Sequence, residues 1–92
     1  MIMVLDENKK PDKTKEMNWT KSGELYVLID KNTEKTFSID PIAFLVWMTC
    51  DGKTPVDHIV DVFAVDGNRD IVKAAIKGIL EKLTESGLLK WV

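Results

Sequence analysis

The apolar positions of this chain change period once, at Asp40, and the change divides it into a strand-like half and a helical half. Before Asp40 the apolar residues come in short runs broken by turn chemistry. Met17 and Trp19, then Leu25, Val27 and Ile29, alternate with other residues, and Ser22-Gly23 between them suits a hairpin turn. Two strands are predicted, Met17 to Lys21 and Glu24 to Asp30. Asp30-Lys31-Asn32-Thr33 reads as a second turn, because Asp and Asn side chains hydrogen-bond their own backbone and Asn tolerates positive φ. A third strand, Glu34 to Ile39, puts Lys35, Phe37 and Ile39 on one face and Thr36 and Ser38 on the other. Connections this short imply an antiparallel meander, with the third strand at an edge unless the C-terminus returns to cover it. Such edges are usually blunted by charge or proline, and here only Lys35 does so.

After Asp40 the pattern is helical. Asp40 suits an N-cap and Pro41 the first helical position, which predicts a helix from Pro41 to Cys50, closed by Asp51-Gly52 with Gly52 in the left-handed conformation. From Ile42 to Cys50 only Thr49 is clearly polar, so this helix has to be covered on several sides by its own domain, by a partner, or by both. It is far short of the about 20 apolar residues that cross a membrane. A second helix, Pro55 to Ala64, is introduced by Thr54-Pro55-Val56-Asp57, a capping box with Asp in place of Glu. Val56, Ile59, Val60 and Phe63 form its buried face, and Asp57, His58 and Asp61 look outward. Asp66-Gly67 is a turn, and Asn68 caps a third helix, Arg69 to Ser86, that Gly87 ends. Its apolar stripe is Val72, Ile76, Ile79, Leu80 and Leu83, flanked by Ile71 and Ala75, with Asp70, Lys73, Lys77 and Glu81 opposite. The apolar ending Leu88 to Val92 reads as an extended tail or small strand against the core.

Composition narrows the function classes. A chain of 92 residues with 45% hydrophobic and 30% charged residues has room for one core, not for a core and a deep enzyme cleft. Asp6 to Glu16 carries four basic and four acidic residues around Pro11, so residues 1–16 read as a mobile tail ahead of a domain spanning 17–92. Cys50 is the single cysteine, which excludes an internal disulfide and a CxxC pair; with no cationic neighbour in sequence it reads as a core residue. His58 has no second His or Cys at ligand spacing and reads as a surface histidine. No Gly-rich phosphate loop, activated nucleophile or metal-ligand cluster is present, so neither catalysis nor a cofactor is expected. The absence of a signal-like stretch points to the cytoplasm.

Three strands followed by three helices make a winged-helix-like α+β domain. Within it the run Tyr26 to Leu89 (YVLID, TEKTFSID, FLVWMTCDGKTPVDHIVDVF and DIVKAAIKGILEKLTESGLL) resembles the PqqD family, also described as recognition elements for ribosomally made precursor peptides. Its most specific block is Val46 to Ile59, supported by Gly87-Leu88-Leu89. The resemblance implies a fold without catalysis that holds the leader segment of a precursor and presents it to a modifying enzyme, often a radical-SAM protein. It also implies that the leader adds as a strand to the third strand and lies against the third helix. On this chain that selects Lys35, Thr36, Phe37, Ser38 and Ile39, with Arg69, Val72, Lys73, Ile76 and Lys77 on the helix. Lys73 and Lys77, one turn apart, would meet acidic residues of the leader, and Val72 and Ile76 would line an apolar floor.

The main alternative is a winged-helix DNA-binding protein, with Asn68, Arg69, Lys73 and Lys77 facing the duplex. Charge argues against it. The whole chain has a formal charge of -2, and Ile42 to Gly67 sets Lys53 against Asp51, Asp57, Asp61 and Asp66 where phosphate would have to approach.

Overall fold

The computed structural model describes residues 9–15, 17–64 and 68–92. Its elements run β1 (Pro11–Lys13), β2 (Met17–Ser22), β3 (Leu25–Asp30), β4 (Thr36–Ile39), α1 (Pro41–Thr49), α2 (Val56–Phe63), α3 (Arg69–Glu85) and β5 (Leu89–Trp91). The expected α+β, winged-helix-like order is borne out: β2, β3 and β4 form an antiparallel meander in that order, followed by three helices. The change of period falls where the sequence put it, because Asp40 accepts the Ala43 N–H at 2.8 Å and caps α1.

The tail does not extend to residue 16. Pro11–Lys13 pairs antiparallel with Leu89–Trp91 in a second, two-stranded sheet, and Lys10 and Val92 exchange backbone hydrogen bonds of 3.1 and 2.9 Å. Charge alternation had suggested nothing to bury, yet Pro11 is fully buried and Lys13 donates to the Cys50 carbonyl at 2.8 Å and lies over the Trp47 ring. Strand pairing needs only backbone groups, so polar side chains do not forbid it.

The meander turns Tyr26, Leu28 and Asp30 toward the helices, in register with Trp19 and Met17 on β2 and with Phe37 and Ile39 on β4. Leu25, on the other face, is exposed. Tyr26 stacks on Phe44 of α1 at 4.0 Å between ring centroids, and Trp19 meets the same ring edge-on at 4.9 Å. The core gathers Leu28, Phe44, Val46, Trp47, Cys50, Val56, Ile59 and Val60 with Ile76, Leu80 and Leu83 of α3 and Leu88 and Leu89 after it. Cys50 is the core residue expected, with burial pushing its thiol up to about 12. Trp91 ties β5 to α3 by donating to Thr84 Oγ1 at 3.0 Å.

Several caps differ from expectation. Thr54 does not cap α2: Pro55 holds the N-cap position, and the Thr54 hydroxyl donates to Asp51 Oδ2, whose other oxygen accepts the Lys53 and Thr54 N–H groups. An Asx turn has taken the residue that would have capped the helix. Asn68 stands at the N-cap of α3 without a side-chain bond, and the Asp66-Gly67 turn lies outside the described residues. Gly52 has φ +73, but α1 ends with Cys50 in an extended conformation, and Gly52 serves the next turn, donating to the Pro11 carbonyl at 2.9 Å. Gly87 does end α3 as expected. At φ +80 it closes a Schellman motif, with Leu88 N–H bonded to the Leu83 carbonyl and Gly87 N–H to Thr84.

Asp30 is the one buried acid among the described residues. Its turn puts positive φ on Glu34 rather than Asn32, and its carboxylate accepts Lys15 Nζ at 2.6 Å and the Asn32 N–H at 2.9 Å. Lys15 first, and then the Asn32 N–H, hold the carboxyl down at about 2 against burial, which pushes the other way. A depressed folded-state value means that this group stabilises the fold above its ordinary value of 3.8 and stops doing so as pH falls toward 2. The urea midpoint is therefore expected to drop more steeply between pH 4 and 2 in the wild type than in Asp30→Asn. Equal slopes would show that the Lys15 contact contributes nothing.

Candidate functional site

The ladder positions of the meander decide which backbone groups β4 offers to solvent. Asp30 N–H bonds the Lys35 carbonyl at 2.9 Å, so Lys35 is a hydrogen-bonded position toward β3. Bonded and non-bonded pairs alternate in an antiparallel ladder, which turns the N–H and C=O of Phe37 and Ile39 toward β3 and those of Thr36 and Ser38 outward. The two-residue hairpin closed by Ser22 and Leu25, with Gly23 at φ +62, gives the same alternation along β3. The C-terminal strand pairs with β1, not with β4, so among the described residues no strand covers the outer side of β4.

Beside that edge runs a groove whose far wall is the C-terminal half of α3. One hollow of about 240 Å³ lies between Ser38, Ile39, Asp40 and Ala43 and, from α3 and its end, Ile79, Lys82, Leu83 and Ser86. A second of about 230 Å³ continues past Lys35 and Phe37 against Ser86, Gly87 and Leu88, with Asp30 and Lys15 at its end. Ser86 lines both, so the two form one track along the open edge. Phe37 and Ile39 are half-buried and pack on the core, which leaves main-chain groups and short side chains at the surface. Lys35 and Lys82 are exposed at the rim, with the carboxylate of Asp40 lining the hollow at the Lys82 end.

The structure brings together only part of the predicted set. Lys35 to Ile39 line or flank the track, but the helix residues expected opposite them lie elsewhere. Arg69 is engaged by the carboxylates of Asp57 and Asp61 and by the Asp57 carbonyl, which ties the start of α3 to α2. This takes up the first cation that a DNA-facing helix would have used. Val72 and Ile76 line a different, apolar cleft between α1 and α3. Lys73 and Lys77 are half-buried on α3 and do not line the track. The residues missed are Ile79, Lys82, Leu83 and Ser86. Ile79 and Leu83 stood in the apolar stripe, but a stripe states which face of a helix is covered and not which turn meets the sheet.

Among the described residues no group of three His, Cys, Asp or Glu could hold a metal ion, and no helix is long and apolar enough to cross a membrane.

By its order of elements this is a winged-helix-like α+β domain with one sheet edge open beside its last helix. Residues 26–89 match the family model described as coenzyme PQQ synthesis protein D (PqqD), and the chain belongs to the PqqD family. No curated protein matches it. Among solved structures it is similar to TbiB1, determined in complex with the TbiA(beta) leader peptide, with a TM-score of 0.66 and 18% identity over 86% of this chain and 94% of that one. At that identity the likeness is one of fold.

Proposed function

We propose that this protein is a non-catalytic module that captures the leader segment of a ribosomally synthesised precursor peptide by strand addition to β4 and presents it to a modifying enzyme. The carrying observation is the open β4 edge beside the α3 groove, with the N–H and C=O of Thr36 and Ser38 directed outward. Backbone pairing supplies affinity that depends little on sequence, and the hollows beside Ile79, Leu83 and Phe37 select side chains. Lys35, at the end of the track away from Asp40, favours an acidic residue in the leader. PqqD membership and the leader peptide held by TbiB1 support the same reading. Its downstream partner is a modifying enzyme, with a radical-SAM protein our first choice, and the encounter takes place in the cytoplasm.

Titration of isotope-labelled protein with synthetic N-terminal segments of short precursor peptides, sought among the genes next to its own, tests this. Amide shifts are expected to concentrate at Thr36 to Ile39 and Ile79 to Ser86. Shifts confined to α2, or a preferred duplex emerging from a mobility-shift selection, would replace the peptide reading with a helix-face or DNA-binding one.

A further inference from the structure

We propose that β2, at the opposite edge of the meander, is a docking strand for a partner protein, and that its occupant is an extended, acidic segment of that partner. The two edges share no residue, so this stands whether or not β4 takes a leader.

The register decides which groups β2 offers. Its two-residue hairpin makes Ser22 and Leu25 a hydrogen-bonded pair, and alternation along the ladder does the same for Thr20 with Val27 and Asn18 with Ile29. The N–H and C=O of Met17, Trp19 and Lys21 therefore turn away from β3. Among the described residues no strand pairs with that side. At six residues β2 is longer than β4 with four, and Lys21 is its single charged residue. A long edge with so little protection is a template for an added strand.

Beside this edge lies a hollow of about 250 Å³, walled by Met17 and Trp19 of β2, Trp47 and Met48 of α1, and Lys13 and Lys31. Trp19 is 50% and Met48 47% exposed, and aromatic residues and methionine are the types enriched where proteins meet. Trp47 adds a second sign. Its indole Nε1–H is buried without a hydrogen-bond partner, alone in this among the side chains of the described residues, and such a donor calls for an acceptor.

Charge identifies the occupant. Lys13 and Lys31 line the hollow, Lys21 stands on the same edge, and among the described residues no acid lines it. Lys13 donates to the Met48 and Cys50 carbonyls, which hold the ammonium in place without cancelling its charge. Asp12 and Asp51 share the surroundings of Cys50 with Lys13, but neither reaches the hollow. A strand added to β2 places every second side chain on the face turned toward the helices, so acidic residues at alternate positions meet these lysines. Their carboxylates are also acceptors of the kind Trp47 lacks. A second copy of this chain would set the same lysines against one another, and like charges facing across paired strands are destabilising. Because β3 separates β2 from β4, a partner held at one edge leaves the other accessible.

The test uses two synthetic peptides slightly longer than β2, both alternating valine with a charged residue, glutamate in one and lysine in the other. The glutamate peptide is expected to bind the isotope-labelled full chain at least tenfold more tightly, with amide shifts at Met17 to Lys21 and at Met48. Lys21→Pro, which removes only an outward-facing N–H, should weaken it at least tenfold with the melting temperature unchanged, and Lys31→Glu should reverse the preference between the peptides. Equal affinity for both peptides, no binding of either, shifts that fall on Thr36 to Ile39, or a Lys21→Pro variant that binds as wild type does would each overturn the proposal. A wild-type dimer in light scattering that Lys21→Pro converts to a monomer would overturn it too, by making β2 a self-association edge.

Discussion

Ser38→Pro is expected to reduce leader affinity at least tenfold while the domain keeps its circular dichroism spectrum and melting temperature within a few degrees. Proline removes one N–H and fixes φ, and in a strand it is tolerated where the missing donor faces away from the ladder. Ser38 is such a position, because Phe37 and Ile39 bond β3 and Ser38 bonds nothing in the sheet. One lost hydrogen bond is worth about 1 kcal/mol net, a severalfold change. The ring adds a larger effect by occupying the space through which a paired strand approaches. Lys21→Pro is the matched control, since Lys21 faces outward on β2, the opposite edge of the same sheet. It should leave affinity unchanged. Equal losses from both substitutions would mean that proline harms binding by loosening the sheet, and normal binding by Ser38→Pro would rule out pairing at β4.

The second large effect concerns stability. Leu80→Ala is expected to lower the melting temperature by roughly 10 °C or more. Leu80 is fully buried where α3 meets the rest of the core, and removing a buried leucine costs about 2–5 kcal/mol in lost transfer and residual cavity. Small domains have only about 5–15 kcal/mol in hand, and each kcal/mol moves the midpoint of a chain this size by about 4–8 °C. Ile79→Ala, one residue away on the half-buried groove wall, should cost clearly less stability and more peptide affinity. Thermal melts of both variants, with peptide titrations at a temperature where both are folded, separate the structural side of α3 from its binding side. A Leu80→Ala melt within 3 °C of wild type would show that the core closes around the deletion.

The strand and helix positions were legible because they depend on local chemistry. Asp40 with Pro41, the period of Val56 to Phe63, and Gly87 each act within a few residues, and each element from β2 to α3 lies within about two residues of its expected bounds. What was not legible depends on partners distant in sequence. The phase of β3 is one case: Leu25, Val27 and Ile29 look more apolar than Tyr26, Leu28 and Asp30, yet the latter set faces the helices because Lys15 neutralises Asp30 and Phe44 stacks on Tyr26. The pairing of Pro11–Lys13 with Leu89–Trp91 is another, since neither strand has a side-chain pattern that names the other. The candidate site divides in the same way. Its strand side, Thr36 to Ile39, could be read from the meander, whereas the turn of α3 that lies opposite is set by how α1 and α2 seat that helix.

The reciprocal bonds between Lys10 and Val92 bring the backbone on either side of the domain to a single point. A larger protein could therefore host this unit in one of its surface loops, with the host chain entering and leaving through neighbouring positions and its own geometry little disturbed. Joining residues 10 and 92 by a short linker and opening the chain at Gly23-Glu24, in the β2–β3 hairpin at the edge away from β4, should give a permuted domain that still offers the same edge. The architecture is thus as well suited to being carried inside an enzyme as to acting beside one.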